Sequence, residues 1–271
     1  MEVEKILVST AAVAVTTSAF ATDRYVSTNG VYGADVPGAV CYTDLQKAID
    51  ESANNDVVWV QDGFVCDEGE NEAYTEWDKS KTKNRIAVVS KINLLVRSES
   101  GYVDEANGKG ATIRGAYNSE SEKCGAGSIR PILLHNQATL VGFVLENGSV
   151  NTNQPSVGGG GVWMYRSTLS NCVVRNCHAT NGGGVFINQT LPGRGVFNTV
   201  VTNNTTTSYG GGVYGPADFR DCRIANNTAS PTSSNSGCGG GAAGGAVLSK
   251  NFSDAPPPVE ICVILFSRPS S

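Results

Sequence analysis

One pattern recurs between residues 140 and 250, and it leaves little room for a fold built on a single closed core. It reads Leu140-x-x-Phe143-x-Leu145-x-Asn147, then Leu169-x-x-Cys172-x-Val174-x-Asn176. Val196-x-x-Thr199-x-Val201-x-Asn203 and Phe219-x-x-Cys222-x-Ile224-x-Asn226 follow. Behind each copy stands a glycine-led apolar stretch: Gly159-Gly160-Gly161-Val162, Gly182-Gly183-Gly184-Val185, Gly210-Gly211-Gly212-Val213 and Gly244-Gly245-Ala246-Val247. The four asparagines are separated by 29, 27 and 23 residues. A unit of this length cannot bury its apolar side alone, so its neighbours must stack on it as a solenoid.

Alternation within each copy assigns faces. Phe143, Cys172, Thr199 and Cys222 form one inward column, and Leu145, Val174, Val201 and Ile224 a second. The columns Val144/Val173/Val200/Arg223 and Glu146/Arg175/Thr202/Ala225 then face out. Asn147, Asn176, Asn203 and Asn226 are expected to form a ladder at a corner, their amides bonding along the stack as in cross-β assemblies. Glycine in the turn that follows supplies the positive φ a sharp bend needs.

With 32 glycines and only 17% charged residues, the composition favours short strands and tight turns over a helical bundle. A net charge of −5 without a Lys/Arg cluster argues against a nucleic-acid partner. Residues 6–21 have an apolar centre and a small-x-small end at Ala19-Phe20-Ala21, which reads as a secretory signal peptide over 1–21; the alternative is a buried first strand. This run is too short and too rich in Ser/Thr to span a membrane. Export to a secreted or outer-surface location is the expectation. Eight cysteines then meet an oxidising compartment. Cys172 and Cys222 lie two coils apart, roughly 9–10 Å at one strand spacing per coil, and should not be bonded. Cys41–Cys66 is the expected bridge.

The rest of the chain reads as cap and tail. Thr43-Asp44-Leu45-Gln46 matches a capping box, and a short helix over about 44–53 with Leu45, Ala48 and Ile49 inward should cover the open edge of the first coil. Strands are expected at Val57–Val60, 86–89, 92–97 and 111–115, with polar excursions over 67–84 and 98–109. Cap and irregular coils thus occupy 22–110 and regular coils 111–251. Pro256-Pro257-Pro258 opens an irregular tail over 252–271, with neither corner asparagine nor glycine turn, as expected of a truncated end.

Three stretches carry a family resemblance. Tyr25-Val-Ser-Thr-Asn-Gly30 with 45–49 and 56–63 is similar to the opening of secreted bacterial β-helix proteins, and 92–101 with 111–115 resembles their early coils. The Gly-Gly-[Gly/Ala]-Val and Val-x-x-Asn units resemble the repeats of polymorphic outer-membrane proteins, with Gly244-Gly245-Ala246-Val247 the strict match. The chain thus resembles pectate-lyase-like right-handed parallel β-helix proteins. The fold implied is all-β, a right-handed parallel β-helix solenoid with a short N-terminal capping helix. A leucine-rich repeat is the rival, but the asparagine comes one residue early and each unit ends on a Gly-led strand.

Relatives of this class include polysaccharide lyases, which need a calcium ion and a base, and hydrolases, which need converging carboxylates. The regular coils offer Glu146, Asp218 and Asp221 as acids. Glu146 and Arg175 read as a surface ion pair. Asp218, Arg220, Asp221 and Arg223 crowd one coil; as catalytic candidates they are weak beside the plain reading of a solvated strand. His135 and His178 are isolated, so no metal or cofactor is expected, calcium apart if a lyase were at work. Coils one and four carry insertions at 148–158 and 228–240, at one corner, as binding sides of solenoids do. Those insertions should wall a trough floored by His178, Thr180, Asn181 and Thr205–Tyr209. Trp163, Phe186 and Tyr214 share one column, an aromatic platform for sugars if exposed and plain core if buried. The sequence therefore points to a non-catalytic module for adhesion or glycan binding, with a polysaccharide or cell-surface partner. A lyase or hydrolase acting on acidic polysaccharide is the alternative.

Overall fold

Glycine triplets and asparagine corners keep the strands short, and a computed structural model describes them over residues 23–31, 40–72, 82–117, 127–150, 158–230, 240–243 and 247–249. The protein is nearly all β, arranged in parallel sheets. Among the described residues, sheet I has nine strands in the order Val40–Tyr42, Asp23–Val26, Val57–Val60, Leu95–Ser98, Thr139–Val141, Thr168–Ser170, Gly195–Phe197, Asp218–Arg220 and Val247–Ser249. Sheet II runs through Val65–Cys66, Ala111–Arg114, Phe143–Glu146, Val173–Arg175, Val200–Thr202 and Arg223–Ala225. Sheet III comprises Lys83–Val88, Ile129–Leu134, Val162–Tyr165, Val185–Gln189, Val213–Tyr214 and Ala242–Ala243. A short sheet IV holds His178–Asn181, Thr205–Tyr209 and Thr228–Ala229.

From Val57 onward the chain visits sheets I, II and III in that order and begins again; from His178 it adds sheet IV between II and III. Each strand therefore pairs with its counterpart one repeat away. Leu145, Val174, Val201 and Ile224 are successive partners, as are Val144, Val173, Val200 and Arg223. The inward columns hold: Phe143, Cys172, Thr199, Leu145, Val174 and Val201 are buried, while Cys222 and Ile224 are half-buried at the last described strand of sheet II. One apolar cluster runs from Val26 to Phe219.

The corners of each coil need left-handed residues. Asn147, Asn176, Asn203 and Asn226 take φ of 56, 54, 56 and 56°, following paired strand ends in single file. The corner between sheets I and II uses Gly142, Asn171, Asn198 and Asp221 at 79, 52, 44 and 53°. Asparagine is among the few side chains that visit this region readily, so the repeated asparagines serve backbone conformation first. The expected amide ladder is displaced. Amide-to-amide bonds join Asn171 to Asn198 outside at 2.6 Å and Asn204 to Asn227 inside at 3.0 Å, the latter one residue beyond the corner.

The glycine triplet answers two demands. Gly159, Gly182 and Gly210 have φ of 72, 55 and 60°. The next two glycines lack room instead: a Cβ on Gly183 would stand 2.3 Å from Thr205 O, and one on Gly184 2.8 Å from Asn204 Nδ2.

The helix, α1 (Leu45–Asp50), buries Leu45, Ala48 and Ile49. Its N-cap is Asp44, not Thr43, with the carboxylate accepting from Lys47 N–H at 3.1 Å. Cys41 and Cys66 are free thiols, contrary to the expected bridge. Cys41 pairs with Tyr25 in sheet I while Cys66 pairs with Ile113 in sheet II, so different sheets hold them. Cys172 is likewise a free thiol, so it is not bonded to Cys222. The strands expected at 86–89 and 92–97 shift to Lys83–Val88 and Leu95–Ser98. The signal peptide and the tail fall outside the described residues. Among those residues no helix is long and apolar enough to cross a membrane.

Candidate binding face

Sheet IV is where the trough was expected, and it is built differently. His178, Thr180 and Asn181 are buried, so they do not floor an open trough. The physical reason lies at the two described ends of the first insertion. Ser149 and Gly158 pair in parallel with His178 and Asn181, which places the flanks of that insertion on the strand as a further layer rather than beside it as a wall. The His178 ring is held through Nδ1 to the Thr205 hydroxyl at 2.7 Å. Of the second insertion, 228–240, residues 231–239 lie outside the described residues. Only the Thr205–Tyr209 half remains accessible, with Thr205, Thr207, Ser208 and Tyr209 half-buried.

The aromatic column exists, but it is neither the platform nor the main core. Trp163 is partnered by Phe186, and Phe186 by Tyr214, in the register of sheet III. Trp163 is only 1% exposed, which removes the platform centred on it. Val162 and Met164 join the main cluster, so the alternate residue Trp163 packs on the other side of the sheet. There it forms a second apolar cluster with Ala87, Leu133 and Phe186, half-buried Tyr165 and Tyr214 packing against it. Aromatic surface emerges only at the ends of this row. At one end His135 stacks on Tyr165, centroids 4.6 Å apart. At the other, Tyr214 lies 5.6 Å from Phe186 and 5.9 Å from Tyr209, so two half-buried tyrosines meet where sheets III and IV join.

Glu146 and Asp218 are committed to arginines. Glu146 is buried, not part of a surface pair, and sits between two arginines stacked on it in register. Arg114 Nε meets Oε1 at 2.9 Å, while Arg175 Nε and Nη2 meet Oε2 at 2.9 and 2.8 Å. The arginines in turn hold Asp67 at 3.0 Å and Glu105 at 2.7 Å. Burial pushes the Glu146 carboxyl up, but hydrogen bonds and charge from Arg175 and Arg114 outweigh it and hold it below the usual range. Asp218 pairs with Arg220, whose guanidinium also covers the Phe197 ring at 5.5 Å. Asp221 is an exposed left-handed corner and Arg223 an exposed strand residue. Among the described residues no group of three His, Cys, Asp or Glu could hold a metal ion.

One cavity of about 720 Å³ lies at the N-terminal end, between α1 and the 63–71 segment. Arg85 and Cys66 line it, and burial pushes the Cys66 thiol up to about 11. Sequence reasoning missed this cavity, the second arginine on Glu146 and the inner Asn204–Asn227 pair. The last could have been found: Asn203-Asn204 and Asn226-Asn227 double the asparagine at equivalent places. No protein-family model matches the chain, and searches of curated proteins and of solved structures likewise return no match.

Proposed function

We propose that this chain is a secreted or surface-displayed module that binds polysaccharide or a cell-surface partner without cleaving it. In this reading the parallel stack closes as a right-handed β-helix of the pectate-lyase-like kind, with α1 covering its N-terminal end. One observation carries the binding role: Tyr209 and Tyr214, half-buried and 5.9 Å apart, are backed by the buried Phe186–Trp163 row. A tyrosine so placed offers an apolar ring face and a polar hydroxyl on a rigid support, with little conformational entropy left to lose on binding. Thr207 and Ser208, half-buried, precede Tyr209 on the same strand. The ion-paired state of Glu146 and Asp218 supports binding over turnover, because hydrolysis needs two free carboxylates flanking one glycosidic bond.

A glycan array probed with the full chain, with and without Tyr209→Ala and Tyr214→Ala, tests this. Retained ligands whose affinity falls about fivefold per tyrosine, with no change in the polymer, are expected, as a lost ring contact is worth about 1 kcal/mol. Calcium-dependent growth of ultraviolet absorbance on uronate polymers would instead establish the lyase reading, with Asp218, Asp221 and Arg223 the first residues to replace.

A further inference from the structure

Export through a secretory compartment that holds an N-glycan transferase brings a chain into contact with it, and this chain carries Asn-x-Ser/Thr triplets beginning at Asn147, Asn188, Asn203, Asn204 and Asn226. The triplet at Asn251 lies outside the described residues. We infer that Asn203 and Asn226 are N-glycan acceptors and that the overlapping triplet at Asn204 is closed to modification in the folded protein. This rests on the export reading above.

The fold separates asparagines that the motif alone treats alike. Asn203 and Asn226 occupy left-handed corners, both exposed, their strands stacked in adjacent coils. Asn204 points the other way and is 0% exposed. Its Nδ2, the atom a sugar would occupy, donates to Val174 O at 3.0 Å and to Asn227 Oδ1 at 3.0 Å. Its Oδ1 accepts from Cys177 N–H at 2.9 Å. A sugar on Nδ2 would break these bonds and enter the space beside Gly184, where even a methyl group would meet that nitrogen at 2.8 Å. Chains modified at Asn204 therefore cannot complete the stack and are lost from the folded pool. Asn147 and Asn188 are half-buried and rank behind the two corners.

The reaction needs a polyprenyl-diphosphate-linked oligosaccharide and the membrane transferase of a secretory compartment. The amide nitrogen attacks the anomeric carbon; the N–C bond forms and the C–O bond to diphosphate breaks. The lipid diphosphate leaves with the electron pair, and one amide proton goes to the surrounding base. The strand Thr205–Tyr209 begins two residues after Asn203 and runs roughly 13 Å to Tyr209, so a glycan on Asn203 leaves the tyrosine face open.

The full chain, made in cells with N-glycosylation from its own leader and in parallel from a proven secretory leader, is collected from the medium. Digestion with a peptide-N-glycosidase and peptide mass mapping then locate the sugars. Modification at Asn203, Asn226 or both supports the inference, with the mass step at each lost in Asn203→Gly and Asn226→Gly. Glycine keeps the positive φ, so those variants still fold. Secretion from the proven leader without sugar on either corner, or sugar on Asn204 in the folded pool, overturns it. Secretion from the proven leader alone overturns the export reading and leaves the corner result to be read from that arm.

Discussion

Asn204 and Asn227 lie one coil apart inside the stack, and the amide nitrogen of the first donates to the carbonyl oxygen of the second at 3.0 Å. Each also donates across the coil, Asn204 to Val174 O at 3.0 Å and Asn227 to Val201 O at 2.8 Å. Gly184 and Gly212 face them, where any Cβ would come within 2.8 Å of the amide nitrogens. The doubled asparagine and the third glycine of each triplet are thus two halves of one packing solution. A polar column inside an apolar coil is tolerable only when its members are bonded.

Replacing Asn204 with alanine strands the Cys177 N–H and the Val174 carbonyl in the interior. Loss of about 3 kcal/mol is expected, at roughly 1–3 kcal/mol per stranded group. Asn203→Gly, one residue away, keeps its left-handed corner and should change stability by less than about 0.5 kcal/mol. Urea midpoints of the two variants give the comparison.

Gly184→Ala should cost about 1–3 kcal/mol, because its Cβ has nowhere to go. Gly193 has open space around its Cβ but a φ of 77°, so Gly193→Ala pays only the left-handed strain, about 1 kcal/mol. Thermal unfolding should rank them in that order. The reverse ranking would mean that backbone conformation, not coil-to-coil contact, fixes the triplet.

Acid should weaken the fold through Glu146. Its folded pKa lies below the unfolded value, so its contribution is complete above about pH 4.3 and is lost as pH falls through the folded value. Asp62 adds in the same direction. Burial raises its carboxyl, but bonds from Gly110 N–H, from the Ser100 N–H and hydroxyl and from Lys109 bring it down overall. Glu146→Gln should cost about 1–3 kcal/mol at pH 7 and flatten the decline below pH 4, as seen in denaturation midpoints across pH.

Thiol chemistry should divide the cysteines. Cys172 and Cys177 are buried, and desolvation pushes both thiols up to about 12. An alkylating reagent at pH 8 should leave them unmodified until the protein unfolds. Mass analysis without reductant should find no Cys41–Cys66 bridge. Rapid labelling of Cys172 in native buffer would contradict the buried column.

The stacking was legible because period and alternation act locally: Leu145, Val174, Val201 and Ile224 recur at one register of successive strands, although Val144 and Glu146, which the same alternation turns outward, are buried as well. Register followed from the corners, since a left-handed turn tolerates few residues besides asparagine and glycine. What failed depended on contacts between distant segments. Nothing in the sequence around Trp163 says that its side of sheet III is covered, and nothing near His178 says that Ser149 and Gly158 lie against its strand. The Glu146 clamp escaped because Glu105 comes from the irregular coils and Arg114 from a strand that precedes the first legible copy of the repeat at Leu140.

Cysteine pairs at the corners test the account most directly. Strands in adjacent coils stand about 4.8 Å apart, within disulfide reach, while those two coils apart are about twice that and beyond it. Mild oxidation should therefore cross-link Asn203→Cys with Asn226→Cys, and Asn176→Cys with Asn203→Cys, and leave Asn176→Cys with Asn226→Cys open. Efficient closure of the last pair, or failure of both adjacent pairs, would contradict stacked coils in register.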